Sequence, residues 1–263
     1  MNSFMQAVLR KTVIIAALLA LWEIGVRVSH VSPLIVPPVE AVLQSLFAGI
    51  LDGSLLLSTW ATVNNLIIAM VIGISIAVAL NVLAFVSGWA REFLQTLSAA
   101  LNPLPAIALL PVAFLWFGAT RTSLLFVLVN AVVWAMALNI FTGFSTVPQT
   151  IRYVGRNMGL RGLRLFRYVY VPAALPYIYT GVKISWAFGW RTVIAAELVF
   201  GATASTTGGL GWRLLVDRYN LDSAGTFAGL LMIVIIGLAA EAAFGAVERA
   251  TIQKWGMAER HAT

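Results

Sequence analysis

Three ionisable side chains interrupt an otherwise apolar run, IYTGVKISWAFGWRTVIAAEL: Lys183, Arg191 and Glu197. Charge in such a run is costly in lipid, so each residue needs either a partner or a task. Lys183, Trp190 and Glu197 are spaced by seven and fall near one face of a helix. Lys183 and Glu197 are roughly 21 Å apart along that helix at 1.5 Å per residue, too far to pair. Lys183 lies near the inner end of the run, where it either snorkels to the interface or lines a pathway. Arg191 is deeper and belongs either to a buried ion pair or to a site that attracts an anion. Trp186 and Trp190 either line a pathway or pack.

Catalytic chemistry is poorly supplied. His30 and His261 are the only histidines, no H-E-x-x-H occurs, and cysteine is absent. Disulfides, thiolate metal sites and cysteine nucleophiles are excluded. The lysines are Lys11, Lys183 and Lys254, and none stands in a phosphate-binding G-x-x-x-x-G-K-[ST]. The sequence predicts neither an enzyme nor a bound cofactor or metal, and any ATP must be used by another chain.

A second concentration of charge is IRYVGRNMGLRGLRLFRYVYVPAALP, with Arg152, Arg156, Arg161, Arg164 and Arg167. Thr146 and Pro148 are suited to start a helix and Gly159 to end it in a left-handed cap. A second short helix is predicted over about 162–170, stopped before Pro172. Leu160, Leu163 and Phe166 would form its apolar edge, with Arg161, Arg164 and Arg167 beside it. Such a segment either lies on anionic lipid or docks into a soluble partner.

The elements that position these residues follow from hydropathy. The chain has 263 residues, 60% of them apolar and 10% charged. A water-soluble domain is roughly 25% charged, so the composition indicates an all-α integral membrane protein of one domain. Six spans are predicted, at about 12–28, 60–86, 93–117, 122–144, 173–199 and 224–247, by the length a helix needs to cross the hydrocarbon. Residues 39–51 read as a short interfacial helix after Pro33, Pro37 and Pro38. Glu23 and Arg27 are placed to pair, and Asp222 or Ser223 to cap the last span. Pro103, Pro105 and Pro111 interrupt the third span as either a kink or a pathway-lining break. With an inside N-terminus, eleven of the seventeen basic residues fall on the inner side and four on the outer. This asymmetry predicts cytoplasmic termini and a cytoplasmic arginine loop, 148–171.

The loop resembles the cytoplasmic coupling loop of bacterial ABC importer permeases. That family carries Glu-Ala-Ala, three residues, Gly, nine residues, Ile, any residue, Leu-Pro. Gly159, nine residues, then Val169, Tyr170, Val171 and Pro172 match the second half. Tyr153, Val154 and Gly155 replace the Glu-Ala-Ala. SPLIVPPVEAVLQSL, LNPLPAIALLPVAFLWFG, VPAALPYIYTGVKISWAFGWRTVIAAEL and GGLGW resemble the nitrate/sulfonate/taurine branch, so the likeness covers roughly residues 31–250. The resemblance implies a type I importer fold with a coupling helix between spans four and five. It implies a homodimer on two cytoplasmic ATPase subunits, fed by an external substrate-binding protein. The expected role is a permease in the bacterial inner membrane, passing a small anionic solute. Arg156, Gly159, Leu160, Leu163, Arg164, Phe166 and Pro172 are the expected ATPase-coupling residues. Lys183, Trp190, Arg191 and Glu197 are the expected pathway residues. The alternative is a self-contained secondary transporter, which would show repeated halves with matching broken helices; one broken span and no repeat are present.

Overall fold

A computed structural model describes residues 2–29, 31–201 and 208–251. His30, Ser205 and His261 lie outside these described residues. Long helices dominate: α1 (Asn2–Ser29), α2 (Val39–Leu51), α3 (Ser54–Val86), α4 (Gly88–Leu101), α5 (Leu110–Phe117) and α6 (Arg121–Ser145). After these come α7 (Gln149–Asn157), α8 (Gly162–Leu165), α9 (Val171–Phe200), α10 (Leu210–Tyr219) and α11 (Ser223–Ala250). Among the described residues α3, α6 and α11 are each long and apolar enough to cross a membrane. The stretch from α4 to α5 makes a fourth when the bent pair is counted as one span.

Helix α6 lies at the centre, packed between α3 and α9. Its buried residues Leu124, Val127, Leu128 and Val132 meet Leu66 and Ala69 of α3 and Val193 and Ala196 of α9. Small residues let the backbones approach, as lipid-embedded helices require in place of a hydrophobic drive. A Cβ at Gly73 would stand 2.8 Å from Val132 Cβ, and one at Gly181 would stand 2.8 Å from Asn139 Cβ. By contrast α11 is mostly exposed, with Leu230, Val234, Ile235 and Leu238 facing outward.

Several local expectations are met. Arg27 Nε contacts Glu23 Oε1 at 2.6 Å. The other Glu23 oxygen accepts from the Val39 amide at 2.9 Å and so caps α2, where Pro38 has no side-chain cap to offer. Asp222 Oδ1 accepts from the Gly225 amide at 2.8 Å and starts α11.

Of the two readings of residues 93–117, kink or break, the structure has the break: α4 and the segment Ala106–Phe117 are bent by 95° across it. Three prolines between 103 and 111 remove too many donors for one helix to continue. A short 3-10 turn, Ala106–Leu109, restarts the chain, and Pro111 is tolerated in the first turn of α5. Two other expectations, both in the arginine loop, need correction. Thr146 does not start α7; its hydroxyl donates to the Gly143 carbonyl at 3.1 Å and closes α6. The second loop helix does not stop before Pro172. From α8 the chain passes through a π-turn, Phe166–Tyr170, directly into α9. The Val171 amide donates back five residues to Phe166. That wider turn makes room for the ring of Pro172, which needs no partner for a donor it lacks.

Candidate functional site

The break between α4 and α5 is the floor of a cavity of about 410 Å³. Its wall is completed by Asn130, Ala131 and Trp134 of α6 and by Phe188, Arg191, Thr192 and Ala195 of α9. The predicted broken span and the predicted deep arginine thus meet at one place. Arg191 is exposed toward this space and has no hydrogen bond or ion pair with any described residue. No carboxyl group is in the lining. The buried Trp134 indole N–H lacks a partner as well. An unpaired guanidinium, an unpaired N–H and the amides of Asn102 and Asn130 give a space rich in donors. Such a lining favours a solute that brings negative charge and acceptor oxygens.

Lys183, Trp190 and Glu197 do not line this cavity. Their shared face turns away from it. Lys183 Nζ lies 2.6 Å from Glu241 Oε1 of α11. Nearby, the Tyr179 hydroxyl donates to the Phe244 carbonyl and ties the same two helices. Trp190 is buried in the main core and stacks on Trp186, with the rings 6.2 Å apart and 4° from parallel. Glu197 is only 1% exposed. Thr62 of α3 donates to it at 2.8 Å, and the Gly211 amide donates at 3.0 Å. The Leu210 amide donates in turn to Thr62 Oγ1 at 2.8 Å. Glu197 and Thr62 therefore satisfy the open amides at the start of α10, where the helix dipole favours a carboxyl oxygen.

This latch explains the GGLGW stretch, residues 208–212. A Cβ on Gly209 would fall on the Glu197 carboxyl, and one on Gly211 would fall on the Ile194 carbonyl. Sequence reasoning had both segments in view but not Thr62, which is 135 residues from Glu197. The one available signal was a buried acid that needs donors. Farther along α10, Arg213 donates to Ser54 Oγ at 2.6 Å and lies 3.6 Å from Asp217.

At the opposite end of α9 stands the arginine loop. Gly159 adopts φ 77°, its amide donates to the Arg156 carbonyl at 3.0 Å, and Leu160 donates to the Gly155 carbonyl at 3.1 Å. This closes α7 with the left-handed cap that only a residue without Cβ adopts cheaply. The predicted edge Leu160–Leu163–Phe166 is not one edge. Phe166 and Leu160 pack inward against Phe85, Phe144, Leu165 and Tyr170, whereas Leu163 points outward. The outward apolar residues are instead Ile151, Val154, Met158, Leu163 and Tyr168. A groove of about 610 Å³ lies among Ile151, Val154, Met158, Leu160, Tyr168 and Pro172. Arg156 and Arg164 are exposed beside it.

Residues 69–253 match the family described as the binding-protein-dependent transport system inner membrane component. The chain is 27% identical over 240 residues to the taurine transport system permease protein TauC of Escherichia coli, covering 89% of this chain and 86% of that protein. It is 26% identical over 236 residues to the putative aliphatic sulfonates transport permease protein SsuC of the same organism, covering 88% and 86%. It is 27% identical over 238 residues to the nitrate import permease protein NrtB of a Synechocystis species, covering 88% and 84%.

Proposed function

The chain belongs to the binding-protein-dependent transport system inner membrane component family, and from that premise we propose that it forms the pathway for a small anion at the break in its α4–α5 span. It is a transport subunit of an ABC importer, with ATP hydrolysis in separate subunits. Unpaired Arg191 in the cavity at the 95° bend is the observation that carries the anion reading. The relatives named for taurine, aliphatic sulfonates and nitrate are consistent with it. Lys183, Trp190 and Glu197 serve as the frame that holds α9 to α11, α3 and α10, and Arg191 alone of the four meets the solute.

In this reading α1 and α9 also cross, giving six spans with both termini and the arginine loop in the cytoplasm. Two copies bind two ATPase subunits and receive solute from an external binding protein. The knob made of α7, Gly159 and α8 presents Ile151, Val154, Met158, Leu163 and Tyr168 to the ATPase, and the arginines steer the encounter. The test is uptake in proteoliposomes holding the whole complex. Arg191→Gln should reduce uptake at least tenfold and Arg191→Lys less, as expected for loss of a charge-assisted bond. Unchanged uptake by a well-inserted Arg191→Gln protein would remove the anion site from this cavity.

A further inference from the structure

A second cationic cavity, of about 240 Å³, sits where the arginine loop meets the helix bundle. It is separate from the pathway cavity and shares no residue with it. Arg91 reaches it from α4 and Arg152 from α7, and Tyr170 of the π-turn completes the rim. Phe141 and Phe144 of α6 and Asn81 of α3 form the floor.

Positive charge at the inner face satisfies a topology rule wherever it stands, provided it stands in water. Arg152 meets that description only in part, being half-buried, whereas Arg91 is exposed. The Arg152 Nε is buried and has no hydrogen-bond partner. Arg91 lies over the Phe141 ring, 5.4 Å from its centroid, and is not ion-paired with any described residue. No acidic residue lines the cavity. Two guanidinium groups thus converge on one space with no counter-charge, and a buried donor left unmade is a cost the fold must recover elsewhere. The volume is that of about eight waters at roughly 30 Å³ each, enough for a small oxyanion with part of its hydration. Guanidinium forks match the paired oxygens of sulfate, phosphate or carboxylate groups.

We infer that Arg91 and Arg152 form a binding site for a small oxyanion, either free or as the head group of an anionic lipid. The site joins α3, α4, α6, α7 and the π-turn. Its occupant would fasten the loop to the broken span, which is the connection a coupling device must keep stiff. This inference does not depend on the pathway reading, and its test is run in an Arg191→Gln background so that the two cannot be confused.

The measurement is equilibrium binding of radiolabelled sulfate to the full chain in phosphatidylcholine nanodiscs at fixed ionic strength. Arg152→Gln, or Arg91→Gln, should weaken sulfate at least tenfold, the loss expected for one charge-assisted bond. Arg164→Gln removes the same charge from the exposed part of the loop and should change little. Arg152→Lys keeps the charge, loses the fork, and should fall between; it also covers the case in which Arg152→Gln does not fold. A parallel arm asks whether phosphatidylglycerol stays bound in native mass spectrometry. Selective loss of sulfate by the Arg91 and Arg152 variants supports a free oxyanion, and selective loss of phosphatidylglycerol supports a head group. Equal binding of both probes to the Arg164→Gln protein and to the Arg91→Gln/Arg152→Gln protein would overturn the site.

Discussion

The Glu197 latch makes a quantitative prediction. Thr62→Val keeps the shape of a fully buried side chain but removes its hydroxyl. The change deletes the bond to Glu197 and strands the Leu210 amide, which now donates to Thr62 at 2.8 Å. An unmade buried bond costs about 1–3 kcal/mol, and two are disturbed, so the variant should lose roughly 2–6 kcal/mol. Gly209→Ala acts on the same latch from the other side, because its Cβ would occupy the place of the Glu197 carboxyl. Glu197 must then withdraw, and a similar loss of about 2–6 kcal/mol follows by the same arithmetic. A latch can be opened only once, so the double variant should be little worse than either single. The magnitude of the coupling energy should then be about that of one single loss, at least about 2 kcal/mol, against roughly 0.5 kcal/mol or less for independent sites. Reversible unfolding in mixed micelles measures all four corners of the cycle. Hydrogen exchange at Leu210 and Gly211 adds a local readout: both amides should lose protection together. Additive losses, or protected amides in the Thr62→Val protein, would refute the latch.

Other outcomes are expected from the same structure. Single cysteines at Ser145 and Ser205 should react differently with an impermeant thiol reagent on intact cells, Ser205 labelling and Ser145 not; the reverse order would reject the cytoplasmic placement of the loop. Gly159→Val should strain the φ 77° cap, and Leu163→Asp should spoil an outward apolar contact; both should reduce ATPase pull-down or uncouple hydrolysis from uptake while insertion persists. Phe166→Asp should do something different, because Phe166 packs inward against Phe85, with rings 5.0 Å apart: it should lower stability before it lowers ATPase affinity.

The parts legible from sequence were those set by local chemistry. Apolar runs marked α3, α6 and α11, Asp222 was one of two residues expected to cap α11, and Gly159 marked the end of α7. Proline spacing announced a break in the third span but not its direction, since missing donors say where a helix fails and not where the chain goes next. The apolar edge of the loop was misread for a related reason. A projection at 100° per residue assumes an unbroken α-helix, but Leu160 precedes α8 across extended Arg161 (φ −140°, ψ 156°), and a three-residue step within a helix stops about 60° short of a full turn. Leu163 and Phe166 therefore part company, one facing out and one facing in. The expected pathway set is divided by tertiary packing, with Arg191 at the cavity and the other three away from it. Seven-residue spacing correctly put Lys183, Trp190 and Glu197 on one face, but only tertiary packing shows that this face meets α11, α3 and α10.

That separation of faces bears on how the loop and the cavity communicate. Helix α9 has 30 residues and is about 45 Å long at 1.5 Å per residue. It grows out of the π-turn at one end, carries Arg191 to the cavity about two-thirds of the way along, and places Glu197 against α10 at the other end. A rod held on one face by Lys183–Glu241, Trp190 and the Glu197 latch has limited freedom to bend there. Its opposite side lines a cavity whose other wall is the non-helical break of α4–α5. If the ATPase docks on the loop as proposed, a displacement of the loop would be transmitted along a stiff element to the one wall that is built of turns. Coupling in this scheme needs no chain of specific side-chain contacts through the core. It needs a rigid α9, a deformable Asn102–Ala106 segment, and two arrangements of the loop that the partner distinguishes.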